Sequence, residues 1–121
     1  MIEIAIPELR ALVNSYLRKE MKSCASPAAV AYIEEDANVI SDVLMYAEVR
    51  GNNQGVVKLG TAVMQPSPLA KEITIDYQTA TSAKINGGHR IGMCVLNKAV
   101  EVALEKVRHS KTISIIGCSN Y

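Results

Sequence analysis

Three side-chain amides stand between two glycines at positions 51–55 of this 121-residue sequence: Asn52, Asn53 and Gln54. They come just before a predicted helix start. Side-chain amides at such a place can cap the helix, or they can hold the carboxylate and carbonyl groups of a polar ligand. Composition favours capping, and both interpretations stay open at this point.

A second polar cluster closes the sequence, where Cys118, Ser119, Asn120 and Tyr121 follow a β-branched apolar run. The run predicts a buried strand over 112–118. Its polar end is therefore a second candidate site.

The glycine-rich stretch GGHRIG resembles a phosphate-binding loop but fits neither of the two common nucleotide-binding patterns. We expect Gly87 and Gly88 instead to supply the positive φ of a turn before a helix. His89 and His109 could each act as a general base, since imidazole titrates near neutral pH. Neither has a carboxylate or nucleophile at a telling spacing, and His109 is expected to be a solvated residue at a helix end.

The three cysteines, Cys24, Cys94 and Cys118, are too far apart and too few to predict a disulfide framework or a zinc site. We expect them to be buried free thiols and expect no metal site. With 13 basic and 12 acidic side chains, the net charge of +1 gives no sign of a nucleic-acid or membrane partner. No signal peptide or membrane span is evident, so we expect a cytoplasmic protein.

The first half of the chain predicts helices. Pro7 and an apolar spacing of three and four residues predict a helix over 7–21. Ser26 and the proline behind it predict the start of a second long helix, which ends at Gly51 with a break, if any, near Asp36. A short helix is predicted over 55–64, before two prolines.

The second half predicts a β-β-α-β segment. Short strands are predicted over 72–78 and 81–87 as a hairpin, followed by about five turns of helix and the strand over 112–118. The long helix has two neighbouring apolar stripes, which predicts burial on two sides. We therefore predict an α+β fold, with N-terminal helices followed by the β-β-α-β segment, as a single unit over 1–121 with no internal boundary.

From about Pro7 to Tyr121 the sequence resembles the N-terminal third of the malate/L-lactate dehydrogenase family, which includes ureidoglycolate dehydrogenase, diketogulonate reductase and sulfolactate dehydrogenase. This family is unrelated to the Rossmann-type lactate dehydrogenases. The helix ending in Arg50 and Gly51 carries part of the resemblance. The segment from Asn86 to Asn120 carries the rest, because it resembles the order D-G-x-x-G-x-G, helix, strand, N-S-N-H.

The resemblance implies an incomplete part of the family's fold and a cytosolic, oligomeric enzyme. Family members use NAD or NADP to interconvert 2-hydroxy and 2-oxo acids, and most of their cofactor contacts come from beyond the N-S-N-H segment. We therefore expect a companion C-terminal chain, a homo-oligomer of the two-chain unit and a small-molecule substrate. The cofactor-binding residues would lie mostly outside this chain.

The same resemblance assigns the candidate site residues. Gln54 falls where the family has a catalytic histidine, and Tyr121 matches the second histidine, thought to act as acid and base; these two are the catalytic candidates. Lys58 matches the arginine that binds the substrate carboxylate. The lysine keeps the positive charge but lacks the bidentate fork of the guanidinium group. Ala62 stands where the family has tyrosine. The substrate-binding candidates are Asn53, Lys58, Ser119 and Asn120.

Three functions follow as hypotheses. The first is an oxidoreductase of altered active site that acts on a small 2-hydroxy or 2-oxo acid with NAD(P). The second is a subunit formed by self-cleavage after Tyr121, in which a Ser, Thr or Cys that begins the companion chain is the nucleophile of a hydrolase, transferase or lyase that needs no such cofactor. The third is a non-catalytic helical domain that serves as a dimer or scaffold element.

Overall fold

The computed structural model describes residues 3–61 and 64–118, apart from the side chains of Ser114, Ile116 and Cys118. Helices α1 (Ile6–Cys24), α2 (Pro27–Val30) and α3 (Ile33–Val49) come first, and a 3₁₀ helix (Val56–Lys58) follows. Strands β1 (Thr74–Gln78) and β2 (Ser82–Asn86), helix α4 (Gly92–Ser110) and strand β3 (Ser114–Cys118) complete the order. The predicted α+β class and its β-β-α-β segment are confirmed.

Helix α1 forms where the sequence predicts it. Pro7 lies in the first turn, and Val13, Leu17 and Met21 are buried at intervals of four residues. This spacing places them on one face, which packs against α3. The N-terminal helices thus form one layer with an apolar interior.

The second predicted helix is divided at Ala31 and Tyr32, earlier than the predicted position near Asp36. The backbone N–H groups of Ala31 and Tyr32 both donate to the carbonyl oxygen of Ala29. Such short-range bonds tighten the turn and end α2, and α3 then restarts with the bond from Asp36 to the Tyr32 carbonyl. Asp36 itself lies inside α3 and is buried.

The short helix predicted over 55–64 is a single 3₁₀ turn. The backbone N–H groups of Lys58 and Leu59 donate to the carbonyls of Gly55 and Val56, three residues back. Gly60 then adopts a φ of +79°, which no helix continues through. The prediction was therefore right about the position of a helical turn and wrong about its length.

The sheet has three strands in the order β1-β2-β3. Strands β1 and β2 form the predicted antiparallel hairpin, closed by a bond of 2.8 Å from the Thr79 N–H to the Ser82 carbonyl. Strand β3 pairs in parallel with β2 after the crossover through α4. In the described part of the chain, β3 hydrogen-bonds to β2 along one side only and is an edge of the sheet.

Helix α4 is buried on its sheet side. Val95, Ala99 and Val102 pack against Ala83 and Ile85 of β2. The neighbouring stripe, Leu96, Val100, Ala103 and Val107, was predicted to be buried as well. The described residues leave its larger side chains exposed, so that part of the prediction is not met within this chain.

Two buried clusters hold the described part of the chain together. One joins α1 and α3 to Ile91 and Cys94, which lie immediately before and in the first turn of α4. The other joins the rest of α4 to the sheet. Among the described residues, no helix is both long and apolar enough to span a membrane.

Candidate functional site

Three of the predicted site residues, Asn53, Gln54 and Lys58, lie on the segment that connects α3 to the end of the 3₁₀ helix. Asn53 and Gln54 are exposed, and Lys58 is half-buried. The other three, Ser119, Asn120 and Tyr121, lie outside the described residues, as does Ala62, and their assigned roles stay predictions. The predicted self-cleavage after Tyr121 stays a prediction for the same reason.

The segment begins at the C-terminal cap of α3. Gly51 adopts a φ of +69°, and its N–H donates to the Glu48 carbonyl at 3.0 Å. The Asn52 N–H donates to the Ala47 carbonyl, also at 3.0 Å, which completes a Schellman motif. The glycine therefore fixes the direction in which the chain leaves the helix.

Glu48 fixes the other end of this loop. Its Oε2 accepts a hydrogen bond of 3.0 Å from the Val56 N–H and so caps the 3₁₀ helix. Gly55 lies so close that an added Cβ would be 2.5 Å from this oxygen and 2.9 Å from the Glu48 nitrogen. The R-G sequence and Gly55 are thus held against the last turn of α3.

The three amides organise the loop rather than cap the helix. Asn52 Oδ1 accepts a bond of 3.0 Å from the Gln54 N–H, which forms an Asx turn. Gln54 Nε2 donates to Asn53 Oδ1 at 3.3 Å. Capping of the helix by an amide was therefore wrong, because the carboxylate of Glu48 takes that role, and no sequence signal links Glu48 to Val56.

Lys58 supplies a positive charge at the end of the segment. Its backbone is fixed by a bond to Gly55, and its carbonyl accepts from the Thr61 hydroxyl at 2.7 Å. Within residues 3–61 and 64–118, no hydrogen bond or ion pair to its ammonium group is found. An ammonium group without a protein partner on a fixed turn can bind an anionic group such as a carboxylate.

A charged cluster that sequence reasoning missed lies between the helical layer and the sheet layer. The guanidinium of Arg90 forms two hydrogen bonds to the carboxylate of Asp36, and both side chains are buried. Arg90 also donates to Glu35 at 3.0 Å and lies over the ring of Tyr32, 4.5 Å from its centroid. Burial alone would lower the pKa of Arg90, but the bond to Asp36 and the two acidic charges raise it above its ordinary value.

The guanidinium of Arg90 is thus bonded to two carboxylates of α3, those of Glu35 and Asp36. The cluster therefore serves as a fixed connection between α3 and the start of α4 rather than as a ligand site. The sequence offered no signal for it, because Arg90 and Asp36 are 54 residues apart.

Cys94 lies beside the cluster, with its Sγ 4.0 Å from the Asp36 carbonyl oxygen. Burial raises the pKa of this thiol well above its ordinary value, and the Asp36 charge adds to the shift. The prediction of a buried free thiol is confirmed here. It is wrong for Cys24, which lies exposed in the last turn of α1, where its thiol donates to the Glu20 carbonyl.

The contrast between the two thiols can be tested by alkylation at pH 8 with mass mapping of the peptides. We expect Cys24 to be modified at the rate of a free thiol and Cys94 about a hundredfold or more slowly, since it reacts only after a local opening of about 2.7 kcal/mol or more. In denaturant the two rates should converge. Equal rates in the folded protein would contradict the burial of Cys94.

The stretch GGHRIG forms the turn that leads into α4. Gly88 has a φ of +58°, as predicted, but the positive φ predicted for Gly87 was wrong, and the second residue of the turn with a positive φ is His89, at 56°. The Gly88 N–H donates to Asn86 Oδ1 and the Arg90 N–H to the Gly87 carbonyl. Two of the backbone N–H groups that a phosphate would need are thus bonded within the turn.

His109 lies exposed in the last turn of α4, as predicted, with its Nδ1 2.8 Å from the Glu105 carbonyl. It borders a cleft of about 370 Å³ between α4 and the hairpin. Lys106 crosses this cleft to donate to the Thr79 carbonyl at 2.7 Å and thereby braces the hairpin. In the described part of the chain, no three or more His, Cys, Asp or Glu side chains converge on a metal position.

Comparison with known proteins gives two curated relatives. The chain is 30% identical over 82 residues to L-sulfolactate dehydrogenase of Methanothermobacter thermautotrophicus. This alignment covers 64% of this chain and 24% of that protein. It is also 29% identical over 99 residues to malate/(S)-sulfolactate dehydrogenase of Methanothermus fervidus. This second alignment covers 74% of this chain and 27% of that protein. The chain thus spans about a quarter of the length of the curated relatives it matches, and no family model matches it.

Two solved structures have the same fold over nearly the whole chain. Malate dehydrogenase from Pyrococcus horikoshii aligns with a TM-score of 0.73 at 22% identity, over 99% of this chain and 33% of that one. Malate dehydrogenase from Entamoeba histolytica aligns with the same TM-score at 19% identity, over 99% of this chain and 32% of that one. The predicted fold, part of a malate dehydrogenase-like architecture, is confirmed.

Proposed function

We propose that this chain is the N-terminal part of an oxidoreductase that acts on a small 2-hydroxy or 2-oxo acid. The similarities in sequence and fold support its membership of the malate/L-lactate dehydrogenase-like family. The observation that carries the proposal is the alignment of 99% of the chain with malate dehydrogenase structures. The named activities of the two curated relatives agree with it.

The segment from Gly51 to Lys58 supplies this part's share of the proposed site. Lys58, matched by the family resemblance to the arginine that binds the substrate, would hold the substrate carboxylate with a charge-assisted hydrogen bond. Asn53 and Gln54 are exposed on the same segment and can donate hydrogen bonds to the 2-oxo group. Gln54 cannot transfer a proton, so Tyr121 is the proposed donor, with Ser119 and Asn120 beside it as substrate contacts.

The nicotinamide cofactor, NAD or NADP, would be bound mainly by residues beyond this chain. Two backbone N–H groups of the GGHRIG turn are bonded within the turn, and we assign no step through the cofactor to the described residues. The proposal includes the C-terminal part of the fold as partner, a homo-oligomer of the assembled unit and a cytoplasmic location.

Lys58 allows the proposal to be tested by kinetics on the assembled enzyme, this chain together with the C-terminal part. With NAD(P)H and a panel of 2-oxo acids, Lys58→Ala should raise KM about 10- to 100-fold, since a hydrogen bond to a charged group contributes about 1.5–3 kcal/mol. Lys58→Arg should keep most of the affinity because it keeps the charge. Absorbance at 340 nm follows the reaction.

Lys19→Ala is the matched control, because Lys19 is an exposed lysine on α1 and is not part of the segment from Gly51 to Lys58. It should leave KM unchanged. An assembled enzyme that neither binds NAD(P)H nor oxidises it with any acid of the panel would contradict the proposed function. An unchanged KM in Lys58→Ala would contradict the role of Lys58.

A further inference from the structure

Helix α4 presents an apolar face that nothing in the described chain covers. Leu96, Val100, Leu104 and Val107 are 65%, 48%, 54% and 40% exposed. They recur at intervals of three and four residues, so they form one stripe along the helix, beside the stripe that packs on the sheet. Exposed apolar side chains in a continuous stripe of this kind mark an interaction surface.

The stripe continues into a groove beside strand β3. The groove has a volume of about 370 Å³, and its walls include Leu96 and Val100 from α4 and Ile115 and Gly117 from β3. Gly117 has no side chain to fill it, and the nearest atom to a Cβ added there is that of Ala99, 4.0 Å away. The groove is therefore open at the point where helix and strand meet.

Strand β3 adds unpaired backbone to this surface. It is parallel to β2 and lies at the end of the sheet order in the described part of the chain. An edge strand next to an apolar groove can accept another strand together with its apolar side chains. A covering element thus gains backbone hydrogen bonds and apolar burial at the same place.

We propose that the exposed stripe of α4 and the free edge of β3 form the docking surface for the C-terminal part of the same fold. This inference rests on the proposed function. The malate dehydrogenase chains are about three times as long as the aligned region, so two thirds of that fold lie outside this part and are the proposed cover of the stripe and the edge. An apolar stripe suits a permanent partner of this kind better than a polar or charged ligand.

The test co-expresses this chain with the polypeptide encoded directly after codon 121, so that neither part has to fold alone. Leu96→Glu places a charge in the groove and should weaken the complex about 10- to 100-fold, measured by sedimentation, because burial of the leucine is lost. Leu12→Glu is the control, since Leu12 is a similarly exposed leucine, 55%, on α1 outside the groove. It should leave the complex unchanged, and circular dichroism should show both variants folded.

Hydrogen exchange supplies a second readout on the wild-type complex. Backbone amides of β3 and the middle of α4 should exchange more slowly in the wild-type complex than in the complex that carries Leu96→Glu. Equal effects of the two variants on the stability of the complex, or unchanged hydrogen exchange of the β3 amides, would overturn the proposal. It would also be overturned if no polypeptide encoded after codon 121 bound this chain, or if this chain alone formed a homodimer that Leu96→Glu dissociates. A complex that forms as expected but has no redox activity would contradict the proposed function and leave the docking surface intact.

Discussion

Replacing Arg90 with leucine should destabilise the protein by about 3–5 kcal/mol, because it leaves the carboxylate of Asp36 buried without its partner. Both side chains are about 4–6% exposed, so water cannot replace the lost bonds. The variant also loses the contact with the ring of Tyr32. Urea unfolding followed by circular dichroism measures the difference.

Two variants show whether the unpaired carboxylate is the cause. Arg90→Leu combined with Asp36→Leu should recover most of the stability, since a buried ion pair replaced by apolar side chains is often neutral. Arg108→Leu, which changes an exposed arginine of the same helix, should stay within about 0.5 kcal/mol of the wild type. A loss for Arg90→Leu as small as that for Arg108→Leu would show that the buried pair contributes little.

Gly88→Ala should have the second largest effect, about 2–4 kcal/mol. The residue has a φ of +58°, and a Cβ there would lie 2.6 Å from the Glu72 carbonyl oxygen and 2.8 Å from that of Lys71. The positive φ costs an alanine about 1–2 kcal/mol, and the contact with backbone atoms adds a further cost of overpacking. Thermal and urea unfolding give the total.

Gly51→Ala separates these two causes. Gly51 has a similar φ of +69°, but an added Cβ would meet nothing within 4 Å. Only the backbone strain of about 1–2 kcal/mol is expected there. If both glycine variants lost the same stability, the close approach of the Lys71 and Glu72 carbonyls would have no energetic consequence.

Local patterns in the sequence predicted most of the elements. The spacing of Val13, Leu17 and Met21 gave the buried face of α1, and the alternation around Ile75 and Tyr77 gave the first strand of the hairpin. The extent of the 3₁₀ helix was wrong, since a short apolar stretch does not distinguish one helical turn from three. The break before α3 was misplaced because it arises from backbone bonding at Ala31 and Tyr32, for which no punctuating residue is present.

The candidate site was predicted only in part. The family resemblance identified Gln54 and Lys58, which the structure places on one segment, but no local pattern revealed that Glu48 caps that segment eight residues later. The pair of Arg90 with Asp36 was missed for the same reason. Contacts between residues far apart in sequence leave no periodicity, so only the folded chain shows them.

The position of Ile91 and Cys94 affects how the chain unfolds. They belong to the buried cluster of α1 and α3, whereas the residues that follow them in α4 belong to the cluster on the sheet. One rigid helix is thus shared by both clusters, and Arg90 anchors its start. Because the two clusters share the first turns of α4, we expect them to unfold together as one cooperative unit rather than as independent halves.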